Sequence, residues 1–140
     1  MVGKITDFIF LKTEIFEDSR GAVLRMLKKD QSSMQGGFGE IYFSEIKPSV
    51  IKGWKCHSKM TQRICVPVGQ VQFVLYDGRP DAKSYQAIVT LTTGRTQNYG
   101  VLIIPPKVWY GFKNVSSLPS LLANCSDIPH DPKEHVGYHC

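Results

Sequence analysis

The sequence predicts an all-β fold and, within that class, one small antiparallel barrel. The spacing of apolar residues that marks an amphipathic helix is nearly absent. Short runs of apolar and β-branched residues instead alternate with polar ones, as half-buried strands do. Turn residues separate these runs at intervals of about 8–12 positions, a spacing typical of β-sandwiches and β-barrels.

The predicted strands follow one another along the chain. Each is a short run rich in β-branched, aromatic and other apolar residues, which suit a pleated, half-buried surface. In order, they cover residues 8–11, 23–27, 41–46, 50–54, 62–68, 70–76, 85–92, 100–104, 110–114 and 120–125.

Turn residues set the boundaries between these strands. The glycine pair at 36–37 loosens the chain before the third strand, and the Pro-Ser pair at 48–49 separates the third strand from the fourth. Gly69 predicts a tight hairpin between the fifth and sixth strands. The Asp-Gly-Arg-Pro sequence at 77–80 ends the sixth strand, and the proline pair at 105–106 ends the eighth.

The remaining segments predict little further structure. At most one short helix fits, near residues 28–35, and the tail 127–140, rich in Pro and His, is predicted to be irregular. No repeat or linker divides the chain, and 140 residues are enough for one domain with a sizeable core, so residues 1–140 are predicted to form a single domain.

The charge and composition narrow the classes of partner. The chain has 17 Lys and Arg against 12 Asp and Glu, a net charge of +5. The positive residues are scattered in single positions and pairs, which argues against a nucleic-acid stripe but leaves open a pocket for a small phosphorylated ligand. No run approaches the roughly 18 apolar residues of a membrane span.

The four cysteines, Cys56, Cys65, Cys125 and Cys140, form no C-x-x-C pair and show no zinc spacing. Cys65 and Cys125 lie within apolar strands, where a reduced core thiol is expected. The sequence therefore predicts a protein of a reducing compartment, the cytoplasm.

Segments with polar residues inside apolar strands stand out as candidate functional regions. A polar side chain that points into a barrel is costly unless it is paired, so several together indicate a site. In the first segment, strand alternation places Lys55 and His57 on one face and Trp54 on the other. The segments are 51–59, 100–114 and 123–132.

Together these segments resemble the two sequence motifs of the cupin superfamily. The skeleton of the first motif is kept at Gly53, His57, Gln62 and Gly69. The second motif is traced, one residue short at its start, by Gly100, Pro105, Lys107, Tyr110 and Asn114. The resemblance implies a cupin (jelly-roll) barrel.

Within the cupins, the chain is identified as a short, divergent member of the deoxysugar branch, the dTDP-4-dehydrorhamnose 3,5-epimerase-like proteins. This likeness extends from about residue 18 to residue 132. A sister group, the nucleotide-sugar 3,4-ketoisomerases, shares the segment around Tyr42 and the run 47–57. The segments that carry the epimerase likeness are 18–21, 38–44, 74–79 and 127–132.

Metal chemistry is not expected. Only one of the positions that would supply cupin metal ligands holds a neutral imidazole, and a cationic lysine is a poor ligand. The resemblance agrees, because the deoxysugar branch works without metal, and no cofactor is predicted. The positions concerned hold Lys55, His57, Gln62 and Tyr110.

Metal-free epimerisation needs a base, an acid placed opposite it and a group that stabilises an enolate oxygen. His57 is predicted to act as base or acid, because the pKa of an imidazole lies near neutrality without special tuning. Tyr110 or Tyr42 is predicted to be its partner, since a phenol can donate a proton or a hydrogen bond. Lys55 is predicted to clamp the enolate.

The chain departs from the family pattern at three places. The family's Gly-Trp-His-x-His version has its base histidine where this chain has Lys55. Ile128 and Pro129 stand in place of the family's active-site tyrosine. The carboxylate that orients the base comes from a longer C-terminal region, which this chain is expected to lack.

The positive charge is expected to bind a nucleotide diphosphate. Arg20, Lys52 and Arg63 are the predicted diphosphate partners, because Arg and Lys bind phosphates through bidentate and point-charge contacts. Arg20 matches the family's Asp-x-Arg-Gly motif, and the resemblance implies that it reaches the site of a neighbouring subunit.

Other residues complete the predicted binding set. Trp109 is either a core residue or a stacking wall for the base or sugar, and Gln62 and Asn124 are further candidates for substrate binding. The tail histidines are predicted to be ordinary surface residues; they are His130, His135 and His139.

The leading prediction is therefore a metal-independent epimerase, an isomerase acting at the 3- and/or 5-position of a nucleotide-linked 4-keto-6-deoxy sugar in deoxysugar biosynthesis. The alternatives are a nucleotide-sugar 3,4-ketoisomerase and a non-catalytic sugar-nucleotide-binding cupin. The expected partners are a dTDP- or CDP-linked sugar and a second copy of the chain, in a homodimer that exchanges N-terminal strands within residues 1–30. No nucleic acid and no membrane are expected.

Overall fold

Antiparallel strands account for the regular structure of the protein. The computed structural model describes residues 4–29, 34 and 36–137, and within these ranges it contains strands and no α-helix. The strands are β1 (Ile9–Lys12), β2 (Ile15–Asp18), β3 (Gly21–Leu24), β4 (Glu40–Ile46), β5 (Ile51–His57), β6 (Gln62–Val68), β7 (Gln70–Asp77), β8 (Ile88–Gly94), β9 (Gly100–Ile104), β10 (Val108–Asn114), β11 (Ser120–Ser126) and β12 (His135–Gly137).

Two five-stranded sheets face each other. The first has the strand order β1-β9-β6-β11-β4 and the second the order β12-β5-β10-β7-β8. All neighbouring strands are antiparallel, and β2 and β3 form a separate hairpin. This is the jelly-roll architecture of the cupins, so the predicted fold class is confirmed.

The main core lies between the two sheets. In β7, residues Val71, Phe73 and Leu75 are fully buried while their neighbours are half-buried, which is the alternation expected of a strand with one face in a core. The side chains that meet them from other strands include Ile46, Ile64, Val66, Val89, Leu102, Ile104, Val108 and Leu122.

A second apolar cluster covers the outer face of the first sheet. Cys65, Val101, Ile103 and Ala123 point outward from β6, β9 and β11. The N-terminal segment lies over them and shields them with Leu11, Ile15, Leu24, Met26 and Leu27. The central strands of the first sheet are therefore buried on both faces, which explains their nearly continuous apolar runs.

The predicted hairpin at Gly69 is present. This glycine has a φ of 85° and joins β6 directly to β7. A side chain there would be strained by the positive φ, and a Cβ atom would overlap the Ser120 hydroxyl.

The structure differs from the sequence prediction at short strands. β2 was not predicted, and the tail is not wholly irregular, because β12 pairs with β5 as the edge strand of the second sheet and places His135 opposite His57. The predicted helix near 28–35 falls mostly on residues outside the described ranges, as does His139. No helix among the described residues is long and apolar enough to cross a membrane.

A buried ion pair fixes the end of β7. The Asp77 carboxylate is fully buried and accepts hydrogen bonds from Arg79 Nε at 2.8 Å and Nη2 at 2.9 Å. Arg79 lowers the pKa of Asp77 from 3.8 to about 2. The folded state therefore holds the ionised carboxylate more favourably than the unfolded chain does.

We expect Asp77→Asn to lower the free energy of unfolding by about 2 kcal/mol at neutral pH, because it removes the charge that Arg79 pairs with. The stabilisation is present above the unfolded pKa of 3.8 and disappears as the pH falls towards about 2. Urea unfolding of the wild type and the variant at pH 7 and near pH 2 measures this. Asp81→Asn, at an exposed aspartate, is the matched control. A wild-type advantage that persists undiminished in acid would contradict the assignment.

Candidate active site

A cavity of about 190 Å³ opens between the two sheets. The first sheet lines it from β4, β6 and β11, and the second sheet lines it from β5 and β10. Its walls combine apolar side chains with a few convergent polar groups, the usual make-up of a small-molecule site. The lining residues are Tyr42, Ser44, Lys52, Gly53, Lys55, Ile64, Tyr110, Phe112, Leu122 and Asn124.

A β-bulge in β5 brings two lysines to this cavity. Tyr110 pairs with Lys55, but Phe112, two residues further, pairs with Lys52, three residues back. The extra residue in β5 reverses the normal alternation, so Lys52 and Lys55 both face the cavity. Strand periodicity alone would have placed them on opposite faces.

His57 lies at the end of β5 in a defined hydrogen-bonding arrangement. Its Nδ1 lies 2.6 Å from Glu134 Oε1, and its Nε2 lies 3.4 Å from the Tyr110 hydroxyl. The second Glu134 oxygen accepts hydrogen bonds from the backbone N–H groups of Lys59 and Met60. Because an ionised carboxylate only accepts, Nδ1 carries the proton and Nε2 presents its lone pair to Tyr110.

Electrostatics support this protonation state. Burial lowers the pKa of His57, against the opposing effect of Glu134. Burial by itself would raise the pKa of Glu134, but the hydrogen bonds from His57, Lys59 and Met60 together bring it below its usual value. The pair is therefore a carboxylate and a neutral imidazole near pH 7, which is the state a general base requires.

Two phenols face the cavity from opposite sheets. Asn124 Nδ2 donates to the Tyr42 hydroxyl at 2.8 Å, and it also donates to Gln62 Oε1. The Tyr42 oxygen thus acts as an acceptor within the protein, which leaves its own proton for another partner. Burial raises the pKa of Tyr42 and of Tyr110, so both phenols stay protonated at neutral pH.

The structure places some of the predicted site residues at the cavity and others away from it. Of the residues predicted to be catalytic, Lys55, Tyr110 and Tyr42 line the cavity, as do Lys52 and Asn124, and His57 contacts the cavity residue Tyr110. Gln62 reaches the cavity through Asn124.

Arg63 and Trp109 were predicted to bind substrate, but neither side chain is in the cavity. Arg63 is 0% exposed and points to the outer face of the first sheet, where it donates to the Gly37 carbonyl at 2.8 Å. Trp109 lies on the outer face of the second sheet, in an apolar groove with Trp54 and Tyr76. Strand alternation causes both corrections, since the neighbours Gln62 and Tyr110 point inward.

Arg20 is not near the cavity of its own chain. It lies at the tip of the β2–β3 hairpin, where its side chain is 87% exposed and pairs with Asp18 at 2.7 Å. This pairing lowers the pKa of Asp18. A contact between Arg20 and substrate would therefore have to occur in a neighbouring subunit.

Glu134 and His135 are the functional candidates that the sequence prediction missed. The expectation that a carboxylate partner for the histidine is lacking is wrong, because Glu134 supplies one from the tail. His135, predicted to be a surface residue, is half-buried with its ring centroid 5.5 Å from that of His57. Only the pairing of β12 with β5 brings them there, and a three-residue strand gives no periodic signal.

Comparison with known proteins identifies the family. The family model described as dTDP-4-dehydrorhamnose 3,5-epimerase matches residues 3–140. The chain belongs to this epimerase family. The predicted recognition is thereby confirmed, and so is the prediction of an isomerase-class enzyme, a sugar epimerase.

Individual members of the epimerase family are similar over most of the chain. A probable low-salt glycan biosynthesis epimerase of Haloferax volcanii is 28% identical over 113 residues, which cover 79% of this chain and 71% of that protein. The crystal structure of a dTDP sugar isomerase from Desulfovibrio desulfuricans G20 is 42% identical, with a TM-score of 0.92, and the match covers 96% of this chain and 85% of that one.

A third relative shows the same fold with a ligand. It is a dTDP-6-deoxy-D-glucose-3,5-epimerase from Legionella pneumophila in complex with dTDP-4-keto-L-rhamnose, 19% identical, with a TM-score of 0.86. The match covers 99% of this chain and 76% of that one.

The tautomer of His57 gives a test of this site that needs no substrate. In Glu134→Gln, the backbone N–H groups of Lys59 and Met60 still bind the side-chain oxygen of residue 134. The side-chain amide nitrogen therefore faces His57 Nδ1. Nδ1 must then accept, and we expect the imidazole proton to move to Nε2. Nitrogen-15 NMR of the histidine ring at neutral pH reports the change. Glu45→Gln, at an exposed glutamate on β4, should leave the spectrum unchanged. A proton that stays on Nδ1 in Glu134→Gln would refute the arrangement.

Proposed function

We propose that the protein is a metal-independent epimerase of a nucleotide-linked 4-keto-6-deoxy sugar, acting at the carbon next to the ketone. The observation that carries this proposal is the Glu134–His57–Tyr110 arrangement at the wall of the cavity. It supplies a neutral base of fixed tautomer and a phenol beside it, without requiring a metal.

His57 acts as the base. Nε2 takes the proton from the carbon next to the ketone; the C–H electron pair becomes the enolate double bond, and the carbonyl pair moves to oxygen. The Glu134 carboxylate stabilises the imidazolium that forms, as the buried carboxylate does in a Ser-His-Asp triad. Lys55 lies on the same wall, opposite Tyr110 in the sheet, and its ammonium group stabilises the developing enolate oxygen.

A tyrosine returns a proton to the opposite face of the carbon. Tyr110 contacts His57, whereas Tyr42 projects from the other sheet, so the two phenols approach a bound sugar from different directions. Their raised pKa keeps the proton available at neutral pH. After transfer the phenolate and the imidazolium exchange protons with solvent, which restores the starting state.

The substrate's charged part is assigned to the mouth of the cavity. Lys52 is exposed there, and its Nζ donates a hydrogen bond to the Glu45 carbonyl oxygen. An ammonium group at this position suits a diphosphate. Gln62 and Asn124 are placed to hold sugar hydroxyls or to orient Tyr42. The Legionella relative, whose structure contains dTDP-4-keto-L-rhamnose, supports a dTDP-linked sugar.

A 3,4-ketoisomerase is the second candidate, favoured by Tyr42 at the cavity wall. Ketone transfer between neighbouring carbons uses the same base and phenol but relays the proton to the adjacent oxygen and carbon. A sugar-binding cupin without chemistry is less well supported, because a base held in one tautomer has no role in binding alone.

The active form is proposed to be a homodimer in the cytoplasm. The β2–β3 hairpin stands apart from both sheets and exposes Phe16 and Val23, at 52% and 62%. Burying this apolar surface against a second copy would bring Arg20, at the hairpin tip, towards the partner's cavity. Cys65 and Cys125 are buried in apolar surroundings, where a reduced thiol is expected, and this supports a reducing compartment.

Solvent deuterium wash-in tests the chemistry. With a dTDP-linked 4-keto-6-deoxyhexose in deuterated water, the wild type should incorporate deuterium next to the ketone. His57→Asn should slow incorporation at least about 100-fold, because general-base catalysis contributes 10²–10⁴-fold. Comparison of Tyr110→Phe with Tyr42→Phe should show which of the two tyrosines is the acid. Tyr85→Phe, at an exposed tyrosine, is the control.

The products then distinguish the two candidate reactions. NMR of the sugar separates an epimer from a 3,4-ketoisomer. Tight binding of the nucleotide sugar without any exchange in the wild type would exclude the epimerase.

Subunit complementation tests the role of Arg20. Arg20→Ala and His57→Asn should each be poorly active as homodimers. Co-refolded together, they should form mixed dimers with one intact site, which recovers up to about a quarter of the wild-type activity. The absence of recovery, or a species of 15.8 kDa on gel filtration of the wild type, would contradict an intersubunit contact.

A further inference from the structure

The His57–Glu134 pair has a third neighbour that the proposed reaction does not use. His135 lies opposite His57 in the β12–β5 pairing, with the two ring centroids 5.5 Å apart. Its Nδ1 atom is buried and makes no hydrogen bond to any residue that the structure describes. A buried ring nitrogen without a hydrogen-bond partner is uncommon in a folded protein and calls for an explanation.

The three side chains offer a set of metal ligands. One ligand atom from each of His57, Glu134 and His135 lies within 4.8 Å of the other two. Zinc binds imidazole nitrogen and carboxylate oxygen at about 2.0–2.2 Å, and two histidines with one glutamate form a known three-ligand set that leaves the fourth position to water. Shifts on the order of 1 Å in these side chains would close them around an ion.

We propose that His57, Glu134 and His135 bind a divalent transition-metal ion such as Zn²⁺, and that the bound ion switches off the base. Metal binding rests on the geometry alone, whereas inhibition by the bound metal, the inhibitory half of the proposal, rests on the proposed function. The site shares His57 with the cupin motif positions, but its other two ligands, Glu134 and His135, come from the tail, and Glu134 lies on the Nδ1 side of His57.

The inhibition follows from the two nitrogens of one imidazole. A metal on Nδ1 replaces the proton that Glu134 holds there. The neutral ring then carries its remaining proton on Nε2, the atom that faces the Tyr110 hydroxyl. Nε2 has no lone pair left to accept a substrate proton, so the loaded protein cannot begin the reaction. Removing the metal restores the Nδ1–H form.

Metal binding is tested without substrate. Calorimetric titration of chelator-treated protein with Zn²⁺ should show one equivalent bound. His135→Gln should weaken this binding by more than about tenfold, since even the loss of an outer-shell partner costs 10–100-fold. His130→Gln is the matched control, because His130 is an exposed imidazole whose ring lies 5.6 Å from that of His135. Cobalt(II) should give d–d absorption without a thiolate charge-transfer band, which excludes cysteine ligands.

Inhibition is tested by deuterium wash-in with and without Zn²⁺. We expect Zn²⁺ to stop incorporation in the wild type and a chelator to restore it, whereas Zn²⁺ should leave incorporation by His135→Gln unchanged from the metal-free rate of that same variant. His135→Phe, which retains a ring at this position, serves if the glutamine variant unfolds. Equal Zn²⁺ affinity in the wild type and both His135 variants would overturn the site. Loss of binding in the variants without wild-type inhibition would overturn the inhibitory half only.

Discussion

The hydrogen bond between Glu134 and His57 is the interaction on which the rest of the site depends. It joins the C-terminal tail to the end of β5, and it decides which imidazole nitrogen carries the proton. The carboxylate is itself held by the backbone N–H groups of Lys59 and Met60, so the loop after β5 orients the acid that orients the base. Without the Glu134 carboxylate, His57 Nδ1 would lose the acceptor that holds its proton, and the tautomer that the proposed base requires would no longer be fixed.

β5 can hold these residues in place because it pairs with another strand along each of its edges. β10 pairs along one edge and carries Tyr110, while the short β12 pairs along the other and carries His135. The bulge between Lys52 and Lys55 interrupts the alternation only locally, so both ammonium groups reach the cavity while Trp54 stays on the outer face. One strand thereby contributes the base and the cations, and the opposite sheet contributes Tyr42 and Asn124.

The sequence predicted those parts of the structure that local periodicity determines. β6 and β9 were predicted with their observed bounds, because their apolar runs end at glycine or proline. Arg63 and Trp109 were predicted to bind substrate, although alternation from Gln62 and Tyr110 directs both side chains to the outer faces of the sheets. Glu134 was not predictable in this way, because its role depends on a long-range pairing between a three-residue strand and β5. The bulge in β5 includes Gly53, and an isolated glycine inside a strand is the local signal that could have predicted it.

Lys55 is the departure from the family pattern that most affects the chemistry, and the structure changes its meaning. As a replacement for the family's base it would suggest lost activity, because an ammonium group cannot accept a proton. In the proposed mechanism the base is instead His57, and the positive charge of Lys55 adds to burial in lowering the pKa of that histidine. The same charge attracts an enolate oxygen on the cavity side. A cation beside a neutral base opposes protonation of the free enzyme and favours the anionic intermediate. Lysine at this position is therefore consistent with proton abstraction, provided that Glu134 is present to stabilise the imidazolium once it forms.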